Sequence, residues 1–466
     1  MPTNERLVAL MTEAGFLDGR GEVGRKRFAR AVNDSAAGRA AGKRFNHTYV
    51  SRWLSGVSPR DDATRDAIRE ALAVRLGRRV SPDELGFRST LSFSPDVGLA
   101  YPYRPDDGVS SVAELLEADL AGTAALSNAP ANVGAWHDAS MAWLVDAQQQ
   151  LGSGSGPKKV GASDVERLRT MRSTFDRIDS TFGGAHARNA LVQYLRGQLP
   201  LLLRAQGTAK VRAALFSAAA ESTQLAAWMS YDAGHHGLAQ RYFIQALGFA
   251  DAGEDRLLAA SILDAMSHQA SFLGRYREAA NMARAARLGT ESTGVAILTS
   301  HFYAMEARAL ARLGDATACD WAMGAAIEHF ERHTPGDGPA WLDYFDDAEL
   351  AAELGHCHRD LGRPDRAIEF ATRALDSASG DYVRSDFFVA MVLADAHLDR
   401  GDIDEGCQIA AQAFAVGEGL ESARCHSYVT EFRERLARHG RLPSVREFAA
   451  SVRETRMWSR SRSSLR

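Results

Sequence analysis

The sequence is poor in cysteine and has no long apolar run. Its 466 residues include four cysteines, Cys319, Cys357, Cys407 and Cys425, and no two of them form a C-x-x-C pair. This spacing excludes a zinc knuckle and a thioredoxin-like motif, and such sparse cysteine is typical of a reducing cytosol. No apolar stretch approaches the roughly 18 residues of a membrane span. Charges within the first six residues argue against a signal peptide.

Motifs of catalysis are also missing. The chain has no G-x-S-x-G and no H-E-x-x-H. The glycine-rich stretch 152–159 differs from a phosphate loop because Pro157 separates glycine from lysine and no Ser or Thr follows the lysine. His356 and His358 flank Cys357, but neighbours on a helix point apart and no second ligand cluster has metal spacing. The sequence therefore predicts no enzyme, no metal site and no cofactor.

Acidic charge is scarce at one end of the chain. Residues 1–90 contain 17 Lys+Arg and 11 Asp+Glu, whereas residues 91–466 contain 38 and 48. Within 20–52, nine basic residues stand against two acidic ones. A basic head on an acidic body is typical of a module that binds a polyanion, although a solvated charged face would give the same count.

Proline, glycine and helical periodicity divide the chain into four predicted regions. These are a small helical domain at 1–88, a linker and connecting region at 89–162, a helical-repeat solenoid at 163–440 and a basic tail at 441–466. The glycine- and serine-rich stretch 151–162 is expected to be a flexible joint. The end of the tail is expected to fray.

Five glycines recur with a nearly regular period. Gly234, Gly274, Gly314, Gly362 and Gly401 are separated by 40, 40, 48 and 39 residues. A small residue follows each glycine after five positions, and an alanine follows seven positions further on. Glycine allows the positive φ of a tight turn between antiparallel helices, and small residues allow those helices to cross closely. Because one such hairpin cannot bury its apolar face alone, neighbours should stack into an all-α solenoid.

This pattern resembles the tetratricopeptide family, with longer repeats than usual and an insertion, HTPGDGPAWLDY, at 333–344. In that family the first helix of each pair lines a concave groove. Counting back from the turn glycines gives the predicted groove residues Gln224, Trp228, Tyr231, Asp264, His268, His301, Arg308, His356, Arg359 and Asp395. Their mixture of polar and aromatic side chains suits a signalling peptide, a small molecule or a protein, but also a merely solvated inner face.

The stretch FNHTYVSRWLSGVSPR carries the strongest functional signal. Asn46 can cap a helix that runs to about Ser55, with Gly56 at its C-terminal stop. The predicted buried side of this helix is Val50, Trp53 and Leu54, which leaves His47, Thr48, Tyr49, Ser51 and Arg52 facing outward. A helix fits the major groove of DNA, and its first turns offer side chains to the base edges.

The sequence V-S-R-W-L-S-G-x-S-P within this stretch resembles the Cro/repressor-type helix-turn-helix family, also called the XRE family. Phe28-Ala29 matches the Leu-Ala pair of the family's second helix, and the segment between the helices, DSAAGRAAGKRFN, is longer than the family's turn. The resemblance implies binding to double-stranded DNA. The residues expected to contact DNA are Arg25, Lys26, Lys43, Arg44, Asn46, His47, Thr48, Tyr49, Ser51 and Arg52.

The two halves together resemble actinobacterial regulators that join this head to a tetratricopeptide domain, and more broadly the RRNPP group of peptide-sensing regulators. The resemblance implies a cytoplasmic, nucleoid-associated transcriptional regulator, usually a homodimer, whose solenoid senses a signal. The alternative is a protein-interaction scaffold or anti-regulator without its own operator. Binding to DNA that weakens steeply as salt rises distinguishes the two.

Overall fold

The computed structural model describes residues 4–19, 21–40, 42, 44–59, 62–78, 80, 81, 83–87, 94–122, 124–145, 151–378, 380 and 382–461. Every regular element in these ranges is a helix, which confirms the predicted all-α fold. None of the helices in these ranges has both the length and the apolar composition that crossing a bilayer requires.

The chain forms two compact units. We call residues 1–95 with 121–129 the head, and residues 96–120 with 130–466 the repeat domain. The first eight helices are α1 (Glu5–Glu13), α2 (Arg25–Asp34), α3 (Ala36–Ala40), α4 (His47–Leu54), α5 (Asp62–Leu76), α6 (Pro105–Leu120), α7 (Ala124–Ser127) and α8 (Val133–Val145). The others are α9 (Ala162–Phe182), α10 (Gly184–Leu203), α11 (Ala209–Asp232), α12 (His236–Ala252), α13 (Arg256–Phe272), α14 (Tyr276–Thr290), α15 (Ala296–Leu313), α16 (Ala316–Arg332), α17 (Asp347–Asp360), α18 (Pro364–Ser377), α19 (Val383–Arg400), α20 (Ile403–Gly417), α21 (Ala423–Leu436), α22 (Pro443–Ser451) and α23 (Arg456–Arg460).

The core of the head lies between α1, α2, α4 and α5. Phe28 and Val32 of α2, Val50 of α4 and Ile68 of α5 are fully buried. Helix α2 packs against α4, and both supply the apolar faces that the periodicity predicts.

The long segment between α2 and α4 is held against the head rather than extended from it. It contains the short helix α3, whose first amides at Ala36 and Ala37 donate to the Glu70 carboxylate, at 3.1 and 2.7 Å. These two backbone hydrogen bonds, that of Ala37 foremost, lower the pKa of Glu70. Asn33 then fixes the far end of the segment, because its amide donates to the Phe45 carbonyl and accepts from the Phe45 amide, both at 2.8 Å. These hydrogen bonds hold the segment at both ends, so its extra length does not loosen the position of α4.

The repeat domain contains the five predicted hairpins, α11/α12 to α19/α20, stacked in chain order. The φ angles of the turn glycines are 84° (Gly234), 74° (Gly274), 77° (Gly314), 67° (Gly362) and 100° (Gly401). The small residues five positions after these glycines are all buried, as are the alanines seven positions further on. The predicted turn glycines and the predicted small residues of the second helices are both confirmed.

The predicted connecting region differs from its expected character, because most of its described part belongs to the repeat domain. Helix α6 packs on α10 and α12, and α8 packs on α12 and α14. Before α6, the chain is held by side chains of α12: Arg241 Nε donates to the Val97 carbonyl at 2.9 Å, and Gln245 Nε2 donates to the carbonyls of Gly98 and Ala100, both at 3.0 Å. These bonds satisfy backbone groups that an extended, proline-containing segment cannot satisfy by itself.

Two glycines of 151–162, Gly154 and Gly156, serve close backbone packing rather than a flexible joint. The Gly156 amide donates to the Arg204 carbonyl at 2.7 Å. Gly154 has a φ of +85°, and a Cβ at this position would lie 2.2 Å from the Ala205 carbonyl oxygen. Glycine is the residue that permits such an approach.

The predicted basic tail is packed rather than frayed up to its last described residue, Ser461. Helices α22 and α23 bury Phe448, Met457 and Trp458 against the final repeat helices. The guanidinium of Arg433 lies over the Trp458 ring at 4.1 Å. The buried aromatic area outweighs the basic, serine-rich composition that suggests fraying.

Candidate nucleic-acid interface and ligand cavity

Helix α4 presents an outward polar face that is fixed at its N-terminus. The Asn46 side chain accepts from the amides of Thr48 and Tyr49, at 2.9 and 3.4 Å, which confirms the predicted cap. His47, Thr48, Tyr49 and Arg52 are exposed, and Ser51 is half-buried. The opposite side of the helix is buried in the head core.

Other predicted DNA-contacting residues lie on the neighbouring segments. Arg25, in the first turn of α2, donates from Nη1 to Ser51 Oγ at 3.4 Å, so the structure brings this arginine beside α4. Lys26 and Arg44 are exposed. Lys43 lies outside the described residues.

The cap allows a test of how α4 is held. Replacing Asn46 with alanine leaves two amides of the first turn without their acceptor, which costs about 1 kcal/mol. We expect amide hydrogen exchange within α4 to become about fivefold faster in Asn46→Ala. The matched control is Thr48→Ala, because the exposed Thr48 side chain has no part in the cap. Equal exchange in the two variants would contradict the capping role.

The repeat domain contains a cavity of about 520 Å³ that is partly open to solvent. Its walls come from the first helices of successive pairs, α11, α13, α15, α17 and α19, together with α9, α21 and the segment 340–344. A volume of this size suits a small-molecule ligand.

Eight of the ten predicted groove residues line the cavity: Gln224, Trp228, Asp264, His268, His301, Arg308, His356 and Arg359. The other two do not line it. Tyr231 is fully buried behind the wall, where its hydroxyl is 3.1 Å from His268 Nδ1. Asp395 is buried and pairs with Arg359 at 3.3 Å. Both stabilise the contacts between neighbouring helices instead.

Several lining residues were missed by counting from the glycines. Trp341 and Tyr344 come from the insertion, which folds back over the cavity through the helical turn 340–342. The wider spacing of 48 residues between the third and fourth glycines was the available signal. Arg424 and Tyr428 come from α21, which has no turn glycine after it to count from.

An ionic cluster joins the two ends of the repeat array, and we call it the clasp. Asp232, the last residue of α11, accepts from Ser422 Oγ at 2.7 Å and from Arg424 Nε at 2.8 Å, beside α21. Its other oxygen accepts from the Gly184 amide at 2.8 Å and from Arg384 at 3.3 Å. Burial alone would raise the pKa of Asp232, but the two guanidinium groups outweigh it and hold the pKa at about 2. The clasp therefore closes the array around the cavity.

One end of the cavity is acidic. Asp264 Oδ2 lies 2.7 Å from His301 Nδ1, and His301 Nε2 lies 3.1 Å from the Tyr344 hydroxyl. Burial opposes protonation of His301, but the Asp264 carboxylate outweighs it and raises the pKa of this imidazole. Burial and the neighbouring Glu353 carboxylate raise the pKa of Glu349 to about 8.

The other end of the cavity is surrounded by arginines. Burial, reinforced by the charges of Arg424 and Arg308, lowers the pKa of His268 well below its usual value. Burial and the charges of Arg308 and Arg359 do the same to His356. Both imidazoles are therefore neutral, and each can donate one hydrogen bond and accept another without carrying charge. Among the described residues, no group of three or more His, Cys, Asp and Glu side chains could hold a metal ion.

The molecule is thus an all-α protein that consists of a small helical head and a helical-repeat domain with a partly open cavity. Residues 7–88 match the family model of the SP15 N-terminal domain. The match ends at residue 88, the predicted boundary of the first domain. No curated protein and no solved structure matches the chain.

Proposed function

We propose that this protein is a sequence-specific regulator of transcription that binds double-stranded DNA through the head, with α4 in the major groove. The observation that carries the proposal is the outward face of α4, where Tyr49 and Arg52 are exposed on a helix capped by Asn46. The repeat domain is the sensor in this proposal, and the protein acts as a cytoplasmic homodimer. Its four cysteines are free and buried, which suits a reducing compartment.

The chemistry of this face fits DNA in two ways. Arg52 and Tyr49 can reach base edges, and base contacts provide sequence preference. Arg25 offers positive charge beside the same face, and Lys26 and Arg44 are exposed next to Arg25 and to the start of α4 in the chain. Such charge binds phosphates regardless of sequence. The Arg25 guanidinium is already held next to α4 through Ser51.

The proposal predicts different defects for the two kinds of residue. Arg52→Ala should cost about 1–3 kcal/mol on the preferred duplex and relax the preference for it. Lys26→Ala should weaken binding to every duplex and reduce the salt dependence. The preferred duplex is first selected from a random pool with the full-length protein, and affinities are then measured by fluorescence anisotropy at several salt concentrations.

Arg75→Ala is the control, because Arg75 lies on α5 with its guanidinium over the Phe16 ring at 5.4 Å. Its affinity for DNA should equal that of the unaltered protein. If the unaltered protein binds no duplex even at low salt, the proposal fails, and the scaffold alternative is favoured.

A further inference from the structure

The charges that line the cavity are not all neutralised by each other. Each lining arginine has a carboxylate partner; the pairs are Arg172–Asp176, Arg308–Glu353, Arg312–Asp360, Arg359–Asp360, Arg384–Asp179 and Arg424–Asp232. By contrast, no described guanidinium forms an ion pair with Asp264 or Glu349, which both line the cavity. An anionic ligand would meet arginines that are already paired with carboxylates, whereas a cation would find the second oxygen of Asp264 and the Glu349 carboxyl without a guanidinium partner.

Unpartnered buried atoms independently indicate a ligand. Asp264 is 3% exposed, and its Oδ1 has no hydrogen-bond partner among the described residues. His356, 4% exposed, lines the same cavity, and its Nδ1 also has no partner there. Buried polar groups almost always have partners, so these two atoms mark places where a bound molecule can form hydrogen bonds.

Aromatic rings complete the wall of the cavity. Trp228, Trp341, Tyr344 and Phe388 all line it. Tyr344 also hydrogen bonds to His301, the partner of Asp264, so an aromatic ring lies at the acidic end itself. Rings of this kind attract cations through their faces and offer an apolar surface to the rest of a ligand.

We propose that the cavity binds a small organic cation, with an ammonium group between Asp264 and Glu349 and an aromatic or apolar body against the rings. The ammonium donates to the free Asp264 oxygen, and His356 receives a polar group at the opposite end. An effect of this ligand on DNA binding would rest on the proposed function. Binding of the cation to the cavity is independent of that function and is measured without DNA. A failure of cation binding is therefore distinguishable from a failure of DNA binding.

The test uses the full-length protein with benzylamine, phenethylamine and tryptamine as probes. Each amine is compared by calorimetry with the alcohol and the carboxylic acid of the same skeleton. Because a hydrogen bond to a charged group contributes about 1.5–3 kcal/mol, we expect the best amine to bind about 10- to 100-fold more tightly than its alcohol. The acid should bind more weakly still.

Two substitutions locate the ammonium. Glu349→Gln and Asp264→Asn should each weaken amine binding about tenfold or more while leaving the alcohol nearly unchanged. Asp365→Asn is the matched control, because its side chain is 82% exposed on α18. Circular dichroism establishes that each variant is folded. Glu349 is half-buried, so its variant remains informative if Asp264→Asn does not fold.

The acidity of Glu349 supplies a second measurement. With its pKa at about 8, this carboxyl keeps its proton at neutral pH, and a neighbouring ammonium favours loss of that proton. Amine affinity should therefore rise from pH 6 to pH 8.5. The charged and titratable groups that face Glu349 are Asp346 and Glu353 beside it, His301 and Arg308 on α15, and Tyr344. His301 contributes to the same slope as it loses its proton, so Glu349→Gln should reduce the slope without abolishing it.

Three results would overturn the proposal. The first is that no amine of the set binds at millimolar concentration. The second is that the alcohols or acids bind as tightly as the amines. The third is that both variants bind the amines as the unaltered protein does.

Discussion

Asp232→Asn is expected to lower the free energy of unfolding of the repeat domain by about 3–5 kcal/mol, the usual cost of removing one member of a buried ion pair. Asp232 is 1% exposed, and its two oxygens receive four hydrogen bonds in the clasp. The substitution keeps the shape of the side chain but removes its charge. Arg384 and Arg424 then share one fewer buried anion, with Asp179 still bonded to the first of them at 2.9 Å.

The dependence of this effect on pH follows from the low pKa of Asp232. A carboxyl whose pKa is lower in the folded protein than in the unfolded chain contributes its stability above the unfolded value, about 3.9. That contribution is lost as the pH falls toward the folded value, about 2. The difference between the variant and the unaltered protein should thus be full at pH 7 and shrink below pH 4.

Urea denaturation, followed by circular dichroism at several pH values, measures the effect. Asp347→Asn is the matched control, since its pair with Arg373 is exposed and should contribute less than about 1 kcal/mol. The clasp also closes the cavity, so the amides around Ser422 should exchange faster in Asp232→Asn. If the two variants are equally stable at pH 7, the clasp does not hold the array together.

Local patterns in the sequence were sufficient to predict the hairpins and the cap of α4. A turn glycine, a small residue at a helix crossing and an asparagine at a helix start each act through a few neighbouring residues. Gly234 and Asn46 illustrate this, because the structure gives the first a φ of 84° and the second two capping hydrogen bonds. Eight of the ten groove positions followed from the same local counting.

The contacts that close the cavity had no local signal. Asp232 is separated from Arg384 and Arg424 by 152 and 192 residues. No pattern in the residues around each of them indicates that they meet. Composition also gave a wrong prediction for glycine, because glycine is used both in flexible joints and where two backbone segments pack closely. Gly154 belongs to a stretch typical of a flexible joint, yet it is needed because another backbone passes too close for a Cβ. The role of such residues depends on partners that are distant in the chain, and the periodicity of the sequence carries no information about those partners.

Trp143→Ala should be nearly as destabilising, with an expected loss of about 3–5 kcal/mol from the free energy of unfolding of the repeat domain. Trp143 of α8 is 1% exposed, and the guanidinium of Arg256 lies over its ring at 4.6 Å. The ring fills the space beside Gly289, where even a Cβ would lie 2.1 Å from it. Removing the ring therefore leaves a large cavity and an arginine without its stacking partner.

The matched control is Trp321→Ala, because Trp321 is 60% exposed on α16 and its loss should cost less than about 1 kcal/mol. Urea denaturation of both variants separates two interpretations of the region before α9. If α8 is part of the repeat domain, only Trp143→Ala unfolds at much lower urea. If α8 were a connector lying loosely on the surface, the two tryptophans would be equally dispensable, and the assignment of α8 to the repeat domain would be wrong. The first outcome is expected because burial, rather than position along the chain, decides what a side chain contributes.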